Sequence, residues 1–303
     1  MTDTTIPVNF YQSEENCAIS RVALLVEYCG LEFRGSQAQR NQPTVQSAVQ
    51  IALQQLNLKT SAVSFASRTD AGVNALGQVA HFDVATDALV NVSNLASALN
   101  AVLPGSIAVR AVQLDLGRSF HARRDATAKW YRYKIYNSRN RSVWAQHGAT
   151  LHRPVLDTDL MNQAAQLILG EHEFTSFKDL GSNVTHDFCR IEAIQVSRDG
   201  DFITVDVAAN RFLYKMVRNI VGQLMVIGNH KNSLSPETIL KVISERDRRK
   251  ASHSAPAEGL TLMSVHYQAP FNLFEKDVYV QQFKNILKPM ESLQNENLFR
   301  KAS

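Results

Sequence analysis

The sequence contains few cysteines, and none of them forms a recognisable motif. Only three occur among the 303 residues, Cys17, Cys29 and Cys189, and no CxxC pair is present. The nine histidines include no HExxH motif. An odd number of scattered cysteines argues against a disulfide scaffold, and the missing motifs argue against a structural zinc site. We therefore expect a protein without a bound metal.

Long hydrophobic runs are also missing. The longest apolar stretches, VALLV from residue 22 and LMVIG from residue 224, are far shorter than the roughly 20 residues that cross a bilayer. The first residues, MTDTTIPVNFYQSEEN, contain no basic segment followed by an apolar one, as a signal peptide would. These absences predict a cytoplasmic protein that does not enter a membrane.

What is present is an uneven distribution of charge. The net charge is only +4, but residues 118–141 hold eight Lys or Arg and one acid, so this segment carries +7 and the remainder −3. Aromatic side chains alternate with these bases at Trp130, Tyr131, Tyr133 and Tyr136. Bases that hold phosphates beside aromatics that stack on nucleobases favour a site for single-stranded or looped RNA. The alternative is a solvated edge of strand and loop.

Hydrophobic periodicity predicts an α+β fold in two similar halves. The first half reads as strand 21–28, helix 43–53, strands 61–66 and 78–84, helix 91–102 and strand 106–115. This β-α-β-β-α-β order is typical of a ferredoxin-like unit. The helix at 43–53 begins with a proline and has apolar residues three and four positions apart, as an amphipathic helix requires.

The second half repeats this organisation. It reads as strand 129–135, helix 157–169 with an Asp cap, a polar turn at 170–173, a hairpin of 191–197 with 202–207, helices 213–227 and 235–245, and strand 260–267. We expect a central, mostly antiparallel sheet flanked by helices. The expected boundaries are a tail at 1–19, halves at 20–117 and 118–267, and a tail at 268–303.

The stretch FASRTDAGVNA, residues 65–75, places a lone carboxylate in a turn between two apolar runs. One interpretation is structural: Asp70 satisfies backbone amides, Gly72 takes a positive φ, and Arg68 is a surface neighbour. The other is chemical, because Arg68 and Asp70 point to the same side of an extended chain and an opposite charge favours an ionised acid. A solitary carboxylate fits nucleophile or base chemistry better than two-metal phosphoryl transfer.

This stretch resembles the signature of the tRNA pseudouridine synthase A family, GRTDAGVHA followed by GQV and a phenylalanine. Further blocks resemble family motifs in the same order, between about residues 20 and 267. They are YCGLEFRGSQAQ (28–39), TVQ (44–46), SFHAR (119–123), KWYRYKIYN (129–137), FTSF (174–177), MVRNIVG (216–222), APAEGL (255–260) and VHY (265–267).

The resemblance implies a pseudouridine synthase fold and an isomerase that converts uridine to pseudouridine at positions 38, 39 and 40 of the tRNA anticodon arm, without a cofactor, as a homodimer. It implies that Asp70 is the nucleophile, that Tyr131 stacks on a flipped uridine and that Arg218 pairs with Asp70. Arg68 is a candidate to hold the backbone or phosphate of the flipped nucleotide. The candidates for other phosphate contacts are Arg118, Arg123, Arg124, Lys129 and Arg132.

Four positions depart from the family motifs. Cys29 stands for Asp, Ser36 for Trp, Ser67 for Gly and Asn74 for His. These departures motivate a second hypothesis, an RNA-binding protein or RNA chaperone that has lost catalysis. The retention of Asp70 and its presumed partners favours the enzyme, because a binding protein needs no nucleophile. A third hypothesis, an aspartate-dependent hydrolase, would need further acids near the turn.

Overall fold

The computed structural model describes residues 18–90, 94–114, 116–143, 145, 148–181 and 186–286. Within these residues, ten strands form a single sheet with helices packed on it. No helix in this part of the chain is long and apolar enough to cross a membrane. The expected class, α+β with a large and mostly antiparallel sheet, is confirmed.

The first half supplies four strands and three helices: β1 (Ile19–Tyr28), α1 (Val45–Gln55), β2 (Ser64–Phe65), β3 (Asn74–Ala85), α2 (Thr86–Val90), α3 (Leu95–Val102) and β4 (Ile107–Gln113). Helix α1 begins after Thr44, whose hydroxyl accepts from the amide of Ser47 in a capping box. Its apolar positions, among them Val49 and Leu53, are buried on the sheet. Amphipathic spacing therefore determines which face of α1 packs inward.

The second half supplies β5 (Ala128–Asn137), β6 (Thr150–His152), α4 (Thr158–Gln166), β7 (Gly170–Glu173), β8 (Phe188–Asp199), β9 (Phe202–Ala209), α5 (Met216–Gly228), α6 (Thr238–Glu245) and β10 (Leu260–His266). Short 3₁₀ helices cover Gly30–Glu32, Thr175–Phe177, His230–Asn232 and Arg248–Lys250. The predicted cap of α4 is confirmed, since the Asp157 carboxylate accepts from the amides of Asp159 and Leu160.

The strand order is β4-β1-β3-β10-β5-β9-β8-β7, with β2 paired to β3 and β6 paired to β5. Strand β10 lies between β3 of the first half and β5 of the second, parallel to β3 and antiparallel to β5. Leu262 of β10 is opposite Ala75 on one side and Tyr131 on the other. The last strand of the described sheet therefore brings the start of β3, where the Asp70 turn ends, close to the middle of β5.

The prediction of a polar turn at Gly170–Glu173 is wrong. These residues form β7, which pairs with β8 in antiparallel register, with His172 opposite Cys189. The segment is an edge strand of the described sheet, and short edge strands often carry charged side chains, which discourage pairing with other chains. Its polar composition therefore concealed its pairing.

The start of the segment that was expected to be a tail packs on the sheet. Residues 278–286 are helical, and Val280 and Phe283 are buried. The Phe283 ring lies 6.0 Å from that of Trp130 on β5. Two buried apolar residues in a polar sequence are too weak a periodic signal to predict this helix. Residues 1–17, 91–93 and 287–303, which include parts of the expected tails and of one predicted helix, lie outside the described residues.

Candidate active site

The turn that carries Asp70 is held by the residues next to it. The amide of Thr69 donates to Ser36 Oγ at 2.9 Å, and the amide of Ser36 donates to the Thr69 carbonyl at 3.1 Å. The Thr69 hydroxyl is 2.8 Å from the buried hydroxyl of Tyr28. Gly35, with φ +99°, backs the turn so closely that a Cβ would lie 2.9 Å from the Thr69 carbonyl oxygen. The backbone is therefore fixed without using the Asp70 side chain.

Asp70 pairs with Arg218, as the family resemblance implied. Arg218 lies in the first turn of α5, and its Nη1 donates to Asp70 Oδ2 at 2.7 Å while its Nε donates to the Ala255 carbonyl at 2.8 Å. The Asp70 side chain is 20% exposed and the Arg218 side chain is 15% exposed. Asp70 Oδ1 has no hydrogen-bond partner within the described ranges. One carboxylate oxygen is thus anchored, and the other is available to a substrate.

Tyr131 lies on the same side of the sheet as the Asp70 turn. Its hydroxyl is 2.8 Å from Ser67 Oγ, and its ring meets the Phe212 ring edge-on at 5.1 Å. Tyr131 is 5% exposed, and this burial raises the pKa of its phenol well above the usual 10. The phenol is therefore neutral at physiological pH and acts as a hydrogen-bonding group.

These side chains line a cleft of about 1000 Å³. Asp70 is the one acid among the described residues that line it, whereas six bases do so: Arg34, Arg68, Arg123, Lys129, Lys215 and Arg218. Lys129 Nζ donates to the Ala66 carbonyl at 2.9 Å, and burial, with smaller contributions from Arg123 and Arg211, lowers the pKa of Lys129 to about 8. A concave surface of this sign attracts polyanions.

The structure brings together six of the nine predicted site residues. The other three, Arg118, Arg124 and Arg132, are not among the residues that line the cleft. Arg132 makes a two-pronged ion pair with Asp206, at 2.9 and 3.0 Å. Side chains alternate along β5, so Arg132 and Trp130 face away from the side on which Tyr131 lies.

Arg118 and Arg124 lie in the segment before β5. Arg124 is 67% exposed, donates to the Ser119 carbonyl and pairs with Asp125 at 3.5 Å. Arg118 is exposed, and its carbonyl accepts from Arg21. Neither residue is positioned at the Asp70–Arg218 pair.

Residues 212–215 are the main part of the cleft that the sequence interpretation missed. Phe212 packs on Tyr131, while Tyr214 and Lys215 line the cleft in front of α5. The available signal was their position directly before the MVRNIVG block, where an aromatic and a base stand side by side. That pairing was recognised at 129–136 but not here.

Three of the four departures from the family motifs have structural roles. Ser36 holds Thr69, Ser67 contacts Tyr131, and Asn74 accepts from the Gly30 amide at 2.8 Å while donating to the Glu258 carbonyl at 3.1 Å. Cys29 is exposed. The substituted side chains therefore take part in holding the turn.

Comparison with known proteins agrees with this site. A family model described as tRNA pseudouridine synthase matches residues 24–123 and 164–268. Proteins named tRNA pseudouridine synthase A are similar along most of the chain: 40% identity in Aliivibrio salmonicida over 84% of this chain and 95% of the relative, 41% in Salmonella typhimurium over 86% and 94%, and 43% in Shewanella denitrificans over 83% and 94%.

Among solved structures, a chain of a Cbf5–Nop10–Gar1 complex matches with a TM-score of 0.34 and 13% identity, over 83% of this chain and 50% of that one. This score is too low to support a conclusion.

Proposed function

The chain belongs to the tRNA pseudouridine synthase family, isomerases that act on uridine in tRNA, and we propose that it modifies positions 38, 39 and 40 of the anticodon arm with Asp70 as nucleophile. The observation that carries the proposal is the Asp70 carboxylate: one oxygen is anchored by Arg218 and the other has no partner in the described structure. It lies in a basic cleft whose charge suits RNA.

The reaction breaks the bond between C1′ and N1 of uridine and forms one between C1′ and C5. The proton on C5 leaves, and a proton is taken up at N1, so the product has the composition of the substrate. No electron or group donor is consumed. A carboxylate nucleophile divides the exchange into two steps by forming a covalent intermediate, at either the sugar or the base.

A uridine in a helix must leave the stack before a carboxylate can reach it, which costs a few kcal/mol. We propose that Tyr131 stacks on the flipped base and that Arg68 holds its backbone or phosphate, with Arg123 and Lys129 on neighbouring phosphates. All four line the cleft with Asp70. The Tyr131 ring lies at the wall of this cleft, where a flipped base could stack on it.

The remaining parts of the proposal concern the wider complex. The exposed Arg118 and Arg124 are proposed to contact phosphates outside the cleft, whereas Arg132 is occupied by Asp206. The anticodon arm as the bound region, a homodimeric assembly and a cytoplasmic location are supported by the resemblance to the family.

The test is release of tritium from C5-labelled uridine in unmodified tRNA, with substrates that keep a uridine at only one of positions 38, 39 and 40. Wild type is compared with Asp70→Asn, which keeps the size of the side chain, and with Asp199→Asn, an exposed control at the last residue of β8. We expect Asp70→Asn to lose activity by on the order of 1000-fold or more, with tRNA binding within a few fold.

Each contrary result has a distinct meaning. Turnover by Asp70→Asn would remove Asp70 as the nucleophile. Tight tRNA binding by wild type without tritium release would favour the alternative of a binding protein or RNA chaperone. Release from uridines outside positions 38–40 would reject the proposed specificity and leave the chemistry in place.

A further inference from the structure

Two exposed apolar side chains lie at the edge of the catalytic cleft. Tyr214 is 43% exposed and Leu180 is 93% exposed, and both line the cleft that holds Asp70 and Arg218. The residues on either side of Tyr214 and Lys215, Leu213 and Met216, are buried. Single exposed aromatics are common on protein surfaces, so what distinguishes Tyr214 is its position at the edge of the basic cleft, with Leu180 lining the same cleft.

This edge is built rigidly by contacts to Asp179. The Asp179 amide donates to the Tyr214 carbonyl at 3.2 Å, and Lys215 Nζ donates to the Asp179 carboxylate at 2.8 Å. Arg248 and Asn219 donate to the other carboxylate oxygen at 2.6 and 3.1 Å. Burial opposes the ionisation of Asp179, but these hydrogen bonds together lower its pKa to about 2. The segments that carry Leu180 and Tyr214 are therefore fixed to one another.

The backbone at Lys215 has an unusual conformation that helps to position the Lys215 and Tyr214 side chains. Lys215 adopts φ +57° and ψ 9°, a left-handed conformation that is unfavourable for a residue with a Cβ. Its ammonium lies 5.2 Å from the centroid of the Tyr214 ring. This residue thus places its ammonium, which also pairs with Asp179, beside the Tyr214 ring and helps to fix that ring at the edge of the cleft.

We propose that Tyr214, with Leu180 beside it, forms a subsite that stacks on the nucleobase next to the target uridine. The inference rests on the proposed function and adds a second base-binding position to it. When the uridine leaves the stack, one face of its neighbour becomes uncovered, and an aromatic ring at the edge of the same cleft can cover that face. The ring then lowers the cost of extrusion by replacing the lost stacking.

The charges nearby favour RNA as the occupant over a protein segment. Six bases line the described cleft against one acid, and although Arg218 and Lys215 pair with carboxylates, Arg34, Arg68, Arg123 and Lys129 remain to meet the phosphates on both sides of an extruded nucleotide. Every nucleobase has a flat face, so such a subsite tolerates different neighbours. This fits an enzyme that is proposed to act at three positions with different sequence contexts.

The experiment compares initial rates of tritium release by wild type, Tyr214→Ala, Tyr214→Phe and Phe202→Ala. Phe202 is a matched control, since it is 40% exposed and pairs with Tyr136, five residues along β5 from Tyr131 and therefore about 17 Å away. Substrates are intact tRNA and tRNA with an abasic nucleotide on either side of the target uridine. Filter binding of the same tRNAs, which needs no turnover, accompanies the rates.

We expect Tyr214→Ala to raise KM and Kd for intact tRNA by about tenfold, with kcat within about twofold, and Tyr214→Phe and Phe202→Ala to behave as wild type. One of the two abasic tRNAs should bind wild type about tenfold more weakly than intact tRNA does. On that abasic tRNA, Tyr214→Ala and wild type should have the same Kd, because the base that Tyr214 covers is missing. Unchanged binding by Tyr214→Ala, or a loss that adds to that of both abasic tRNAs, would overturn the subsite. Absence of tritium release by wild type would instead reject the proposed function, and filter binding would still decide on the subsite.

Discussion

The Asp70–Arg218 pair in the cleft and the Asp83–Arg21 pair in the sheet contain the same two residue types. They differ in how many carboxylate oxygens accept a hydrogen bond from the arginine. Arg21 and Asp83 are direct neighbours on β1 and β3, and both carboxylate oxygens accept from Arg21, at 2.6 and 2.7 Å. Arg218 contacts only Oδ2 of Asp70. The exposures are similar, 14–15% in the sheet and 15–20% in the cleft. Burial therefore does not distinguish the two pairs, whereas the number of carboxylate oxygens that accept from the arginine does.

The two arginines also differ in the other groups to which they donate hydrogen bonds. Arg21 also donates to the carbonyls of Arg118 and Phe120, so it ties the sheet to the connection between the halves. Arg218 reaches Asp70 from a helix 148 residues further along the chain, and its other contact is the Ala255 carbonyl. The first arginine joins segments, and the second orients one oxygen.

The largest expected effect comes from changing each arginine to glutamine. Arg218→Gln should lower kcat by about 100-fold, because the carboxylate loses its charged anchor, while the free energy of unfolding falls by about 1 kcal/mol. Arg21→Gln should cost about 3 kcal/mol of stability, because among the described residues Arg21 makes four hydrogen bonds where Arg218 makes two, with kcat of the folded protein within about twofold. Urea unfolding and single-turnover tritium release measure the two quantities. If both variants lost activity and stability by the same amounts, the two arginines would not have the different roles that we infer.

A smaller effect is expected in the pH dependence of stability. The hydrogen bond from Arg21 is the largest influence on Asp83 and holds its pKa below the usual 3.8, against the opposing effect of burial. An acid with a lowered folded-state pKa adds stability above its unfolded pKa, and this contribution is lost as the pH falls through the folded-state value. The advantage of wild type over Asp83→Asn, about 2 kcal/mol at neutral pH, should therefore shrink below about pH 4.

Urea unfolding at a series of pH values measures this difference, and Asp199→Asn controls for the change in net charge. The control should follow wild type at every pH, because Asp199 is exposed. A difference between wild type and Asp83→Asn that stays constant as the solution is acidified would show that the pair does not titrate as a unit.

The two pairs also show what could be predicted from the sequence. The Asp70 turn was visible locally, because glycine and polar residues interrupt two apolar runs there. The partner of Asp70 was known only through the family resemblance, since nothing in spacing joins residues 148 positions apart. Arg132 was grouped with the phosphate contacts because its charge was visible and its partner was not. Its ion pair depends on the register that places Asp206 opposite it on β9.

The alternation of side chains along β5 predicts which of its residues share a face with Tyr131. Period two places Lys129 and Tyr131 on one side of β5 and Arg132 on the other, and in the structure Lys129 and Tyr131 line the cleft while Arg132 does not. The segment at 212–215 was missed for a different reason. A single exposed aromatic beside a lysine has no periodicity, so its meaning depends on the cleft that tertiary structure creates. A cluster of basic residues in a sequence thus indicates that an RNA site is present, but it does not identify which of those residues line the site.

The smallest expected effect concerns Ser67, which shows how Asp70 remains available. The turn is positioned through its neighbours, and one of these contacts is between Ser67 Oγ and the Tyr131 hydroxyl. Ser67→Ala should lower kcat about fivefold, the value of one hydrogen bond of about 1 kcal/mol, with KM for tRNA nearly unchanged. Ser67→Gly restores the residue usual in the family and should lower kcat slightly further, because glycine loosens the turn.

The double variant Ser67→Ala with Tyr131→Phe decides whether this contact is the cause. If the hydroxyls act through each other, the second substitution adds little to the first, and their coupling energy equals about one hydrogen bond. Additive losses in kcat would mean that Ser67 merely fills space in the turn. In that case the contacts of Ser36 and Tyr28 with Thr69, and the hydrogen bonds between Gln78 and the Ser67 backbone, would still hold the turn. Substitution of Ser36, which accepts from the Thr69 amide, should then lower kcat more than substitution of Ser67 does.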